Sequence, residues 1–179
     1  MALMLDPFHT CSFDKMCCEL RENLKTKLVL KRKMIRDIKV GANMERKVRT
    51  SSNQSTTFLW DGENVLSTPS MIAEMEETCR LLLKEQFLND EEWDSVGTLV
   101  NVTHIAATPI GFEVLFKSKV VSVDDRRIMF DVEASDDLEK IGSGKHERFI
   151  VNIAKFKSKF DSKKSKIRLR SIGKTIKEA

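Results

Sequence analysis

Residues 96–110 read VGTLVNVTHIAATPI, and the rest of the chain falls into place around them. Val100, Val102 and, past His104, Ile105 lie among small or polar residues, a pattern that suits a half-buried strand. His104 falls where that strand approaches its end, and the Thr-Pro pair beyond it marks a turn. A lone histidine in a strand has two readings, a satisfied structural residue or a proton-transfer group, and this stretch alone leaves both open.

Upstream, the segment LSTPSMIAEME (66–76) opens the clearest helix of the chain. Thr68 is expected as its N-cap, with Pro69 at the first helical position, where a missing N–H costs nothing. At about 100° per residue, Met71, Ile72, Met75, Cys79, Leu82 and Leu83 share one arc, while Glu74, Glu77, Lys84 and Glu85 face away. The helix is expected to run to about Phe87. A long helix with one apolar face needs a cover, and the downstream sequence supplies strands. Phe112 to Val123 alternates, Asp124-Asp125 suits a tight turn, and Ile128, Phe130, Val132 and Ala134 alternate with Met129, Asp131, Glu133 and Ser135. A last strand is expected from about Leu138 to Phe156, with Gly142 and Gly144 marking a bulge or a close backbone approach. Shorter strands are expected around 46–49 and 56–59. Consecutive antiparallel strands after one long helix predict an α+β domain, a sheet curled round a central helix.

Composition sets the bounds. A chain of 179 residues allows one ordinary domain plus tails, and 41% hydrophobic with 32% charged residues describes a soluble globular protein. No apolar run approaches the roughly 18 residues a spanning helix needs, so a cytoplasmic protein without a membrane partner is expected. Cys11, Cys17, Cys18 and Cys79 fit no zinc spacing and are expected as reduced thiols. With three dispersed histidines, no metal site is expected. The formal charge of +4 is uneven: from Lys155 onward ten basic residues face Asp161 and Glu178, leaving +8 there and −4 on the rest. Past Phe156 apolar density drops, and the reading is a solvated or disordered tail. Nucleic-acid binding through it is not favoured, because it carries no interleaved aromatics beyond Phe156 and Phe160. Near the N-terminus, Leu20, Leu24 and Leu28 suit a short amphipathic helix.

Three residues carry groups able to serve as acid, base, nucleophile or hydrogen-bond donor. Glu76 projects to the edge of the apolar arc, where a carboxylate is either a surface residue at a helix boundary or a partly desolvated base or nucleophile. Thr68 offers a hydroxyl at a helix N-terminus, which serves a cap or a ligand. His104 is the third.

In this order, LSTPSMIAEME, VGT-x5-H-x-AATP-x-G (96–111) and IGSG-x-HER (141–148) resemble the fluoroacetyl-CoA thioesterase-like family of hot-dog-fold proteins. The resemblance implies a hot-dog domain over residues 34–159, between an N-terminal extension (1–33) and a basic tail (160–179). It further implies an acyl-CoA thioesterase with Thr68, Glu76 and His104 as the catalytic set and no cofactor. Gly97 would lie at the acyl group, Arg148 would support the site, and Gly142 and Gly144 would leave room for the pantetheine arm of CoA. His146 is expected to be structural. A homodimer is implied, with sheets joined edge to edge. The region before Thr68, TTFLWDGENVLST, does not match the lid of the fluoroacetate-specific member, so a broader short-acyl substrate is expected. The competing expectation is a hot-dog protein that binds acyl-CoA without turning it over.

Overall fold

In the computed structural model the chain divides into two units, Met1–Asp37 and Ile38–Ala179. Residues 21, 22, 26, 38–62, 64–88 and 91–175 are described. The first unit is represented by three of them, so the expected helix over 16–30 lies almost wholly outside the described residues.

The second unit is built on the helix α1, Thr68–Gln86. Its N-cap is Ser67, whose hydroxyl accepts from the Ser70 amide. Thr68 is therefore the first helical residue rather than the cap, and the helix begins one residue earlier than the sequence suggested. The correction matters because a first-turn side chain is free to turn outward. Leu66 precedes the cap, buried, and its amide donates to the Thr108 carbonyl.

Five antiparallel strands wrap this helix: β1 (Asn43–Arg49), β2 (Trp93–His104), β3 (Glu113–Asp124), β4 (Arg127–Ser135) and β5 (Lys140–Asn152). Their order across the sheet is β1-β3-β4-β5-β2. The expected strand at 56–59 does not form; that stretch is largely a bend, held at Thr56, whose amide donates to the Val65 carbonyl and whose hydroxyl donates to Asn64 Oδ1, beside an isolated bridge between Ser55 and Leu66. The final strand ends at Asn152, short of Phe156.

The period-two pattern of the strands meets the 3.6-residue stripe of the helix in one core. Met71, Met75, Cys79, Leu82 and Leu83 pack on Val114, Phe116, Val120, Ile128, Phe130, Ile141 and Ile150, all within about 1% of full burial. Each large side chain removed from water this way contributes about 1.5–3 kcal/mol. The core therefore holds α1 rigidly across the sheet.

β2 departs from the half-buried strand expected. Among the described residues it is an edge strand paired only with β5, and its centre from Gly97 to Asn101 is exposed, Leu99 and Val100 at 44% and 43%. Its register with β5 slips between Gly97 and Leu99.

The basic tail is not an irregular segment. Ile153–Thr175 forms a 23-residue helix, α2, directly continuous with β5. Among the described residues no helix is long and apolar enough to cross a membrane.

Candidate active site

The loop that leaves β2 brings the first pair of candidates together. Ile105 and Ala106 donate to the Ile141 carbonyl, Pro109 bridges Val65, and Thr108 binds Asp136 at 2.8 Å while accepting from Leu66. These ties dock the start of α1 against the end of β2. Thr68 Oγ1 consequently lies 2.9 Å from His104 Nδ1. The opposite ring nitrogen, Nε2, is buried and finds no hydrogen-bond partner among the described residues. Burial also holds the His104 imidazole below its ordinary pKa, outweighing the opposing pull of the Ala106 backbone, which makes no hydrogen bond of normal geometry to Nε2. A neutral imidazole with one nitrogen engaged by a hydroxyl is equipped for proton transfer at the other.

Glu76 belongs to a second cluster, about 12 Å further along α1 at 1.5 Å per residue. Its side chain is 37% exposed, and Oε1 lies 3.7 Å from His146 Nδ1. That nitrogen is already committed at 2.8 Å to the Leu99 carbonyl, so the carboxylate contact is electrostatic rather than a second hydrogen bond. His146 Nε2 stands 3.2 Å from Arg148 Nη1. Because a guanidinium only donates, Nε2 must accept and Nδ1 must carry the proton. His146 is thus a neutral, buried ring, and burial pushes its pKa down.

Arg148 is the tie beneath this cluster. It donates from Nε to Ser95 Oγ at 2.9 Å, from Nη2 to the Ser95 carbonyl at 2.7 Å, and from Nη1 to the Glu76 carbonyl oxygen at 3.1 Å. A planar five-donor fork can bind strand and helix at once, which a lysine could not. His146 and Arg148 share the inward face of β5 because they stand two residues apart. That spacing in the HER motif is the signal that links His146 to the cluster, which the sequence reading left as a structural residue.

Gly97 faces the same carboxylate. A Cβ added there would meet Glu76 Oε1 at 2.9 Å and His146 Cε1 at 3.1 Å. The absence of a side chain at Gly97 is what lets the carboxylate rest against the β2 backbone at the exposed edge. Gly142 and Gly144 have another explanation. Their missing Cβ positions are filled by the chain itself: Met71 Sδ and the Thr103 carbonyl at 2.8 Å from the first, and the Asn101 carbonyl at 2.1 Å from the second. They are close-approach glycines in the β2–β5 pairing rather than bulges.

The helical projection misjudged one neighbour. Glu74 does not point freely to water; it pairs with Arg46 and accepts from Gln54 Nε2 at 2.8 Å. Glu77 does lie at the surface, in an ion pair with Arg80 at 2.7 Å. Arg46 arrives from β1, which the helical wheel cannot see.

Comparison with known proteins bears on the fold and the family. The fluoroacetyl-CoA-specific thioesterase family matches residues 50–154. The fluoroacetyl-CoA thioesterase of Streptantibioticus cattleyicolor is 38% identical over 99 residues, covering 55% of this chain and 70% of that protein. A solved structure of a fluoroacetyl-CoA thioesterase superposes with a TM-score of 0.64 at 28% identity, over 70% of this chain and 97% of that one. A thioesterase superfamily member from Thermus thermophilus shares the fold at a TM-score of 0.66 and 23% identity, over 75% and 98% of the two chains. With an antiparallel sheet wrapped on one long helix and a family match over more than half its length, the chain belongs to the fluoroacetyl-CoA-specific thioesterase family of hot-dog-fold proteins.

Proposed function

We propose that the protein hydrolyses a short acyl-CoA thioester to the free acid and CoA. Glu76 is the catalytic carboxylate, His104 the acid/base and Thr68 the hydroxyl that orients it. The observation that carries this reading is the Thr68–His104 pair with its second ring nitrogen buried and unpartnered. A buried unpaired polar atom costs stability unless something binds it, which suits a nitrogen kept for the reacting thioester.

In the general-base form, Glu76 takes a proton from water as the water oxygen bonds the thioester carbonyl carbon. Collapse then breaks the C–S bond, and neutral His104 takes the water-derived proton on from Glu76 and delivers it to the departing thiolate, so both groups return to their starting states. In the nucleophilic form, a Glu76 oxygen bonds the carbonyl carbon and CoA leaves as the thiolate; water then cleaves the mixed anhydride, neutral His104 taking its proton and passing it to the thiolate. Gly97 would seat the acyl group beside the carboxylate, and Arg148 would hold the Glu76 backbone in place. Relatives of this chain carry the name fluoroacetyl-CoA thioesterase, and one variant of that enzyme has been captured with fluoroacetate and CoA. Fluoroacetyl-CoA therefore belongs on the substrate panel beside acetyl- and propionyl-CoA.

The two clusters lie apart in one chain, and a homodimer would supply the remedy. Two copies of the exposed β2 edge can pair antiparallel about a twofold axis, which also covers Leu99 and Val100. If the axis passes between Val100 and Asn101, Gly97 of one copy faces His104 of the other. The Glu76 cluster of one subunit then meets the Thr68–His104 pair of its mate.

The test is release of free CoA from acyl-CoAs of increasing chain length, by wild type, Glu76→Gln and His104→Ala. Each variant should lose about a hundredfold or more in turnover while remaining folded. Tight acyl-CoA binding without CoA release by wild type would establish the carrier instead. Light scattering that finds a monomer at micromolar concentration would remove the homodimer.

A further inference from the structure

The helix α2 stands outside everything that the active site explains. The family match ends at residue 154, just after the helix begins. At 1.5 Å per residue it is about 34 Å long, and every described side chain from Ile153 to Ser171 is exposed. The helix carries nine lysines and arginines against Asp161 alone, a net charge of +8.

Helical folding sorts these residues in a way the linear sequence conceals. At about 100° per residue, Ile153, Phe156, Phe160 and Ile167 fall within an arc of about 60°. Their exposures run from 42% to 57%. Lys157, Lys164 and Arg168 line one flank of that stripe, while Lys159, Lys163 and Arg170 line the other. Ser158, Ser162 and Ser165 form the back, where Leu169 also projects, 70% exposed and apart from the stripe.

We propose that α2 docks the protein on an anionic lipid surface, lying in the plane of the interface with its phenylalanine stripe in the outer acyl region. The juxtaposition is the argument. A narrow apolar stripe with cations along both sides matches a layer in which hydrocarbon lies just beneath phosphates, and lysine stems reach up from the stripe to the headgroups. The other occupants fit less well. A second α2 would bring +8 against +8 and set Lys163 and Arg170 into the seam between the helices. Nucleic acid would satisfy the cations and leave Phe156, Phe160 and Ile167 in water. A protein groove would need an acid placed for each flanking cation, whereas a fluid lipid surface supplies its phosphates wherever they are needed. The earlier expectation of no membrane partner rested on the lack of a spanning segment, and a helix that lies on a surface needs none.

The test is co-sedimentation of the full-length protein with vesicles of phosphatidylcholine and of phosphatidylcholine mixed with phosphatidylglycerol. Partition should be roughly tenfold or more stronger on the anionic vesicles and should weaken with added salt. Phe156→Ser/Phe160→Ser and Lys163→Glu/Lys164→Glu should each reduce it by about tenfold, with circular dichroism and CoA release unchanged, since neither pair touches the core or the site. Equal partition on neutral and anionic vesicles would overturn the proposal. So would wild-type binding by the double serine variant, which would leave only a generic attraction to polyanions. Displacement from the vesicles by an equal charge of single-stranded RNA would assign the helix to nucleic acid instead.

Discussion

Replacing Gly97 by alanine should separate activity from stability. The added Cβ would stand 2.9 Å from Glu76 Oε1, and ordinary contact begins at 3.4 Å, so the carboxylate must retreat by about 0.5 Å. That atom is the far end of a flexible side chain with 37% exposure, so room for the retreat exists. His146 Cε1, at 3.1 Å, must yield by less, though its ring is pinned by Leu99 and Arg148. Stability should therefore fall by less than about 1 kcal/mol. Catalysis is less forgiving: where 1 Å of misplacement costs about a hundredfold, half of that should cost about tenfold in kcat. Gly144→Ala is the control with the opposite expectation. Its Cβ would meet the Asn101 carbonyl at 2.1 Å and Val102 Cα at 2.6 Å, backbone atoms that cannot move without parting β2 from β5. That variant should lose about 3 kcal/mol or more. Urea titrations and thiol-reagent detection of released CoA measure both quantities on both proteins. Wild-type turnover in Gly97→Ala, or a stability loss equal to that of Gly144→Ala, would refute the placement of Glu76 as the reacting carboxylate.

Because burial depresses His104 below its ordinary value of 6.5, kcat/KM should hold as pH falls through 6.5 and decline only below it; an inflection at or above 6.5 would contradict the site. His104 and His146 are both depressed, so the unfolded chain binds more protons below 6.5, and urea midpoints should fall as pH is lowered past that value. Burial pushes the Cys79 thiol up to about 12, so in a variant with Cys11, Cys17 and Cys18 replaced by serine it should resist thiol reagents at mildly alkaline pH until urea unfolds the chain. Glu74→Gln should cost about 1 kcal/mol through its Arg46 and Gln54 contacts while leaving turnover near wild type, as thermal melts and the CoA assay can check.

The sequence by itself determined the fold class and its main elements. Local rules suffice there: the 3.6-residue stripe of Met71, Met75, Cys79 and Leu82 and the period-two alternation of Ile128, Phe130, Val132 and Ala134 each name an element and its buried face. The motifs around Thr68, Glu76 and His104 were equally legible, because their spacing is written along the chain. Only the tertiary structure decided what those residues touch. Thr68 reaches His104 because a loop tied through Thr108 docks the helix start against the strand end, and Glu76 meets His146, Arg148 and Gly97 because β5 crosses beneath α1. The same non-local logic placed Arg46 on Glu74 and left the centre of β2 exposed at the sheet edge. The tail shows the converse. Its cations hide the apolar signal when counted along the chain, and only the helical pitch, which gathers positions three, four and seven apart, turns scattered residues into a face.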